Sequence, residues 1–315
     1  MEEGRIKNFP IYFFAVIMGL TGLAIAYKSA FFLGEFLYKI GSFISILSII
    51  LFGLFLTIYL VKIFKHGDEV KKEFNHPVKA SFFPTISISL LLLAVAFGDI
   101  SSSFSFLMWI CGTFLHFLFL VRTLTFWINK EFKVEMINPS WFIPIVGAII
   151  VPIQGINYSV ELSWFFFSIG LVFWIALFTI VLYRIIFHNP LPERLLPTLF
   201  ILIAPPAVGF ISYLKITGSV DTIANLLFYF ALFLCIVLFA LVKKFIKLRF
   251  YISWWAYTFP LDAVTIAILM RYHITSSSLY EKLSILALAI TTLVIGIVGV
   301  KTLIAVTKRE ICVED

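Results

Sequence analysis

The sequence contains little charge: Asp, Glu, Lys and Arg make up 13% of its 315 residues, whereas 62% are hydrophobic. A soluble domain has about 25% charged residues, because its surface must be hydrated. The three cysteines form no CxxC pair and no Cys/His spacing typical of zinc. There is no Walker-type phosphate loop and no Ser/His/Asp or paired-carboxylate set within one loop. We therefore expect no enzyme, no metal and no cofactor, and a lipid bilayer as the solvent of the chain.

Ten apolar runs are long enough to cross a bilayer, which takes about 20 residues of α-helix. They do not alternate apolar and polar residues, as the strands of a membrane barrel do. We predict an all-α integral membrane protein with ten transmembrane helices in one domain, residues 1–315. The runs are Phe9–Ala30, Phe36–Phe64, Val78–Phe97, Phe104–Ile128, Pro139–Asn157, Leu162–Phe187, Leu195–Leu214, Thr222–Ile246, Ile252–Tyr272 and Leu283–Val306.

Basic residues are distributed unequally between the two sides of this arrangement. Nineteen of the 24 Lys and Arg residues fall at the two termini or in the connections that lead from an even to an odd run. The other five are Lys28, Lys39, Lys215, Arg271 and Lys282. Because positively charged loops remain in the cytoplasm, we predict a multi-pass protein of the cell membrane with both termini cytoplasmic. The net charge of +7 follows from this bias, so nucleic acid is not an expected partner.

Proline and glycine separate the odd from the even runs. The spacing Pro-x4-Pro-x7-Pro occurs twice, ending at Pro152 and at Pro205, and no even run has an internal proline. Candidate kink or pore-lining residues of the odd runs are Gly19, Gly22, Pro84, Pro152, Pro205 and Pro260. Proline kinks a helix, and the carbonyls it frees inside a membrane must face protein or a water-filled path. We predict five helical hairpins in a quasi-fivefold ring, with kinked odd helices lining a central pore and even helices facing lipid.

Four short stretches, spread over most of the chain, carry a family resemblance. They are Glu73–Lys79 with Phe82-Phe83, Asn138–Ser140, Leu191–Pro197 with Ile203–Pro205, and Trp254–Pro260. These stretches resemble the starts of the third, fifth, seventh and ninth helices of the tellurite-resistance/dicarboxylate transporter family. The last stretch is most similar to the plant slow-type anion channels, which belong to the same family.

The resemblance implies a homotrimer in which each protomer has its own pore, ringed by the five odd helices. It implies that Phe259, directly before Pro260, plugs this pore as a gate. Members of the family conduct chloride and nitrate or move malate, sulfite or tellurite-related anions, so small anions are the expected partners. Phe82 and Phe83 precede Pro84 in the same way and are further pore-lining candidates. For Gly19 and Gly22, pore lining and close helix packing both remain open.

Asp262 follows Phe259 by three residues, near the middle of the ninth run. A carboxylate at membrane depth is costly and indicates a function. It is a structural partner of a neighbouring helix, a protonated group that couples proton to anion movement, or a pore-lining charge that lowers conductance. A passive anion channel is our first hypothesis, and a proton-coupled secondary transporter of dicarboxylates or oxyanions is the second. The third hypothesis is a membrane sensor or scaffold without flux.

Overall fold

The computed structural model describes residues 3–312, and every regular element in that part of the chain is helical. Ten apolar helices form the bundle, and short helices lie in the connections. The ten are α1 (Phe14–Ser29), α2 (Glu35–Lys65), α3 (Pro84–Ala96), α4 (Ser102–Asn129), α5 (Phe142–Gly155), α6 (Val160–Phe187), α7 (Ala204–Thr217), α8 (Thr222–Ala240), α9 (Thr258–Thr275) and α10 (Ser278–Thr307). The short helices are Glu3–Lys7, Gly67–Phe74 and Val242–Ile246.

Nine helical segments of the described chain have the length and composition to cross a membrane. The remaining one of the ten predicted, Pro139–Gly155, is apolar but shorter. It consists of a three-residue 3₁₀ turn and the 14 residues of α5. Every residue from Phe142 to Pro152 is buried. A helix that is surrounded by protein need not match the thickness of the lipid. The short length of α5 therefore causes no hydrophobic mismatch.

Odd and even helices differ in burial, as the proline pattern predicts. Within the apolar 18-residue stretch of each long odd segment, 67–83% of the residues are buried inside the protein, compared with 22–33% in the five even segments. The even helices expose large apolar side chains, such as Phe43 on α2 and Phe233 on α8. Lipid tails solvate such side chains, so exposing these apolar faces to a bilayer carries no free-energy penalty. The odd helices therefore form the interior of the bundle.

Helix contacts follow a regular order. Each odd helix packs against the even helix that follows it, from α1 with α2 to α9 with α10. The odd helices also contact one another in the order α1, α3, α5, α7 and α9, and α9 in turn contacts α1. The contacts among the odd helices therefore close a ring, with the even helices outside it.

Every odd α-helix is preceded by a 3₁₀ segment. These segments are Ile11–Phe13, Lys79–Phe82, Pro139–Trp141, Glu193–Ile203 and Ile252–Tyr257. Pro84, Pro205 and Pro260 lie in the first turn of the α-helix that follows, where proline costs little because its missing N–H is not needed. Pro152 lies inside α5. The structure thus assigns three of the four prolines to a 3₁₀-to-α junction, and bending at these residues stays a prediction.

Candidate functional site

A cavity of about 730 Å³, the terminal cavity, is lined by residues from all five odd helices. It lies at the end of the bundle that holds both described chain ends, since a neighbouring cavity of about 540 Å³ shares part of its wall and is lined by Lys7, Asn8 and Cys312. Helix residues that line the terminal cavity are Ala15, Met18, Thr85, Ile88, Ile143, Val146, Ala204, Phe259 and Pro260.

A second cavity of about 990 Å³, the far cavity, is also lined by all five odd helices. Its wall is formed by residues nearer the C-terminal end of each helix. These include Ile25, Lys28, Val95, Ala96, Ile153, Ile211, Leu214, Lys215, Ile266, Met270 and His273. The two cavities therefore enter the same ring of helices from opposite ends.

The two cavities are separated by a layer of constant thickness. On every odd helix a residue of the terminal cavity is followed, seven positions later, by a residue of the far cavity. The pairs are Met18 and Ile25, Ile88 and Val95, Val146 and Ile153, Ala204 and Ile211, and Phe259 and Ile266. Seven residues are about two helical turns, or about 10 Å. We call the intervening residues that line neither cavity, 19–24, 89–94, 147–152, 205–210 and 261–265, the dividing layer.

Phe259 lies at the terminal-cavity side of the dividing layer. Its side chain lines the terminal cavity, yet the residue is only 6% exposed. Thr258 and Phe259 form the first turn of α9, directly after the 3₁₀ segment Ile252–Tyr257. This position brings a large apolar ring to the closed end of the cavity.

The two phenylalanines before Pro84 are in different environments. Phe82 lines the terminal cavity, and its ring centroid is 6.0 Å from that of Tyr12. Phe83 instead packs against the rings of Tyr59 and Phe74, with centroids 6.2 and 4.6 Å away, and it lines none of the three cavities described here. The structure therefore brings only the first of this pair to the cavity.

Gly19 and Gly22 allow α1 to approach α9. A Cβ added to Gly19 would overlap the Thr258 side chain, and one added to Gly22 would lie 2.5 Å from Oδ2 of Asp262. Both glycines belong to the dividing layer, together with Pro152 and Pro205. Their contacts show close helix packing, and neither glycine lines the terminal cavity or the far cavity.

Asp262 is fully buried in the dividing layer. Neither of its carboxyl oxygens has a hydrogen-bond partner among the residues that the structure describes. A neighbouring hydroxyl pair, Thr265 and Thr291, is satisfied internally at 2.9 Å between the two Oγ1 atoms. An acid without polar partners at this depth is unfavourable as a structural group, because nothing replaces the water it lost.

Several basic side chains surround the terminal cavity. Lys79, Arg194 and Arg249 line it together with His76, and Glu193 is the acid in its wall. The hydroxyl of Ser253 donates to the carbonyl of Arg194 at 2.6 Å, which joins the segment before α9 to that before α7. This mouth is therefore net positive and attracts anions from solution.

A buried ion pair lies in the wall of the neighbouring cavity of about 540 Å³. Lys62, at the end of α2, is 1% exposed, and its Nζ lies 3.0 Å from Oε2 of Glu73. The hydroxyl of Tyr59 donates to the same Oε2 at 2.9 Å, and Lys62 donates to the carbonyl of Phe9 at 2.8 Å. The network thus joins α2, the segment before α1 and the helix Gly67–Phe74, which leads to His76.

A second ion pair lies in the wall of the far cavity. Nζ of Lys28, in the last turn of α1, is 2.9 Å from Oδ1 of Asp99. Tyr38 donates to Oδ2 of Asp99 at 2.6 Å. Partial burial raises the pKa of the Asp99 carboxyl, but the hydrogen bonds from Tyr38 and Lys28 outweigh it and hold this pKa below the ordinary 3.8.

His116, on α4, connects two odd helices, α3 and α5, from outside the ring. It is fully buried on α4, with Nδ1 2.9 Å from Oγ of Ser87 on α3 and Nε2 2.8 Å from the carbonyl of Pro144 on α5. Its imidazole fits into the space left by Gly147, where a Cβ would overlap the ring. This contact fixes the spacing of α3 and α5 around the cavities.

Sequence reasoning missed both ion pairs. In the sequence, Lys28 is one of five basic residues on the less basic side of the bundle, and nothing marks it further. Glu73 is one of several acidic residues among the lysines that follow the second run. A useful signal is the position of each lysine within the last turn or two of an apolar run, Lys28 in α1 and Lys62 in α2, where a lone cation needs a partner. Their partners lie in the connections between the long helices, Asp99 between α3 and α4 and Glu73 in the short helix Gly67–Phe74. The pairing therefore depends on how the chain folds back.

Comparisons with known proteins place the chain in one family. The profile of the SLAC1 family, described as voltage-dependent anion channel, matches residues 8–303. The chain is 29% identical to the uncharacterized transporter MJ0762 of Methanocaldococcus jannaschii, over 82% of this chain and 83% of the relative. It is 27% identical to the tellurite resistance protein TehA homolog of Haemophilus influenzae, over 96% and 93%.

A plant relative matches over the whole of this chain but over only part of its own length. The chain is 28% identical to the S-type anion channel SLAH3 of Arabidopsis thaliana, over 98% of this chain and 50% of SLAH3. The family match, the apolar helices and the two cavities within one ring of helices agree with one another. The chain therefore belongs to the SLAC1 family, whose description is voltage-dependent anion channel.

Proposed function

We propose that the chain is a passive anion channel that conducts small anions of the chloride and nitrate kind. The observation that carries the proposal is the pair of cavities at opposite ends of one helix ring, separated by about two helical turns. In this proposal the permeation path follows the axis of the ring, and opening requires a change in the dividing layer and in the residues at its edge, Phe259 among them. The path lies within each protomer, because the five odd helices of one chain contact one another in a closed ring.

The proposed architecture is five helical hairpins in a quasi-fivefold arrangement. The contact of each odd helix with the even helix that follows it, and the closed ring of contacts among the odd helices, support this arrangement. All five odd α-helices begin beside the terminal cavity, where Ala15, Thr85, Ile143, Ala204 and Phe259 belong to their first turns. The positive ends of the helix dipoles therefore face this cavity and favour anions without a charged filter.

Phe259 is the proposed gate. A buried aromatic ring between a cavity and the layer that closes it blocks ions sterically and by dewetting. Its position at the edge of the dividing layer, where α9 begins, supports this role. Pro84, Pro152, Pro205 and Pro260 are proposed to shape the helices around the gate.

Anion current measured across planar bilayers tests the gate. The full-length chain and its Phe259→Ala variant are compared under chloride, nitrate and malate gradients, and the variant is expected to carry several times more current with an anion-selective reversal potential. Phe83→Ala is the matched control, because Phe83 also precedes a proline and is 5% exposed but lines none of the three cavities described above. Equal currents in Phe259→Ala and Phe83→Ala would refute the gate.

A second candidate function is proton-coupled transport of dicarboxylates such as malate, or of sulfite or tellurite-related oxyanions. Asp262 favours it, because its buried carboxyl group lies in the dividing layer and has no hydrogen-bond partner among residues 3–312. Uptake of labelled malate into proteoliposomes under a pH gradient tests it. Asp262→Asn keeps the shape and removes the acidic proton, so a carrier loses proton-driven accumulation, whereas a channel keeps its current. Asp68→Asn, at an exposed acid of the helix Gly67–Phe74, is the control.

The proposed environment is the cell membrane, with both termini cytoplasmic and the terminal cavity as the inner mouth. The excess of basic residues on the side of the termini supports this orientation. A homotrimer is proposed from the family resemblance, and mass measurement of the detergent-solubilised protein tests it. A protease that removes a C-terminal tag only in inside-out vesicles would support the orientation.

A further inference from the structure

Lys28 is the most enclosed cation of the far cavity. Its side chain is 9% exposed, and Nζ donates to the carbonyl of Ala96 at 2.7 Å as well as to both oxygens of Asp99 at 2.9 and 3.1 Å. Asp99 is 40% exposed and lies between α3 and α4. The cation therefore lies in the cavity wall, and the acid lies on its water-exposed side.

The Asp99 carboxylate is oriented by two helices. Lys28 holds it from α1, and Tyr38 donates to its Oδ2 from α2 at 2.6 Å. Its lowered pKa keeps Asp99 negatively charged at neutral pH. A fixed negative charge thus neutralises the one cation that α1 contributes to this cavity.

Other cations at this end do not substitute for Lys28. Lys215 lines the cavity but is exposed, so water and salt screen its charge. The guanidinium of Arg271 lies among the rings of Phe228, Tyr229 and Tyr280, 5.4 to 5.9 Å from their centroids, and is not part of the cavity wall. An enclosed charge interacts more strongly with an anion than a solvated one, because the local dielectric constant is lower.

We propose that Lys28 is the anion-coordinating residue of the far cavity, and that Asp99 competes with the anion for it and so sets the anion affinity of this mouth. The proposal rests on the proposed anion-channel function for its role in conduction. The binding site itself requires only that small anions bind in the far cavity. Asp99 then determines how tightly Lys28 binds an anion. Its removal strengthens anion binding, whereas the removal of Lys28 weakens it.

Chloride-dependent thermal stabilisation of the purified full-length chain measures binding without conduction, with gluconate replacing chloride at constant ionic strength. Binding to the folded state raises the unfolding temperature as chloride saturates its site.

Asp99→Asn is expected to lower the half-saturating chloride concentration roughly tenfold. This is the effect of removing a unit negative charge about 5 Å from the bound chloride at a dielectric constant of about 50. Lys28→Met should abolish the chloride response, and Asp99→Asn should change nothing further in the Lys28→Met background. Asp68→Asn is the matched control.

A second readout is conduction by the Phe259→Ala chain. Asp99→Asn is expected to increase current when chloride is limiting on the far side and to change it little when chloride is limiting on the terminal side.

The outcomes of the two experiments are distinguishable. An unchanged half-saturating chloride concentration in Asp99→Asn overturns the competition between Asp99 and the anion, even if current is observed. A shifted midpoint without any current in Phe259→Ala supports the Lys28 site and refutes the proposed channel. A change in unfolding temperature that is independent of chloride assigns the pair a structural role only and also overturns the proposal.

Discussion

Gly22 on α1 and Asp262 on α9 pack against each other within the dividing layer. A Cβ added to Gly22 would lie 2.5 Å from Oδ2 of Asp262 and 2.8 Å from its Cβ. The glycine therefore permits the acid to occupy the centre of the bundle. Because the same contact closes the space between α1 and α9, it contributes to the separation of the two cavities.

Gly22→Ala is expected to lower stability by about 1–3 kcal/mol, since the added methyl group overpacks a buried contact. The unfolding temperature in detergent measures the effect. Gly53→Ala on α2 is the control, because no atom lies within 4 Å of the added Cβ and alanine is the better helix former. In an Asp262→Gly background, which lacks both the carboxyl group and the Cβ at 2.8 Å, Gly22→Ala should cost much less stability. An equal loss in the two backgrounds would contradict the contact.

His116→Phe is expected to destabilise the protein by about 1–3 kcal/mol, although the ring volume is nearly retained. The carbonyl of Pro144 and the hydroxyl of Ser87 would each lose a buried partner. Unfolding of the variant is compared with that of His273→Phe, at an exposed histidine that contacts the carbonyl of Ser29. Equal stability of the two variants would show that the polar contacts of His116 contribute nothing.

Lys62→Met is expected to cost about 3–5 kcal/mol, because it leaves the buried carboxylate of Glu73 without its cation. The double variant Lys62→Met/Glu73→Gln should be more stable than Lys62→Met, since no unpaired charge is then buried. A double-mutant cycle of unfolding free energies measures the coupling. Additive losses would contradict a direct pair.

Acid is expected to destabilise the wild type more than Asp99→Asn. The pKa of Asp99 is lower in the folded protein than its ordinary 3.8, so its ion pair stabilises the fold above about pH 4 and this contribution is lost as the pH falls through the folded pKa. Unfolding temperatures between about pH 5 and pH 2.5 test this. Parallel curves for the two proteins would show that Asp99 has the same pKa in both states.

Periodicity and proline placement allowed much of the fold to be predicted. Long apolar runs indicate membrane helices, and the restriction of proline to odd runs indicated which helices are buried. The sequence could not show that Pro84, Pro205 and Pro260 lie at 3₁₀-to-α junctions, because both helix types accept proline in the first turn. It also could not separate Phe82 from Phe83, since the direction of neighbouring side chains depends on the local helix type.

The sequence alone determined that the chain lies in a membrane, how many apolar helices it has and which ones form the interior. These properties depend on local composition, because the transfer of each apolar run into lipid is independent of the others. The tertiary structure decided which residues meet: Asp262 with Gly22, Lys28 with Asp99 and Lys62 with Glu73. Such pairs form between helices or between a helix and a loop, so only the packing of the ring brings them together.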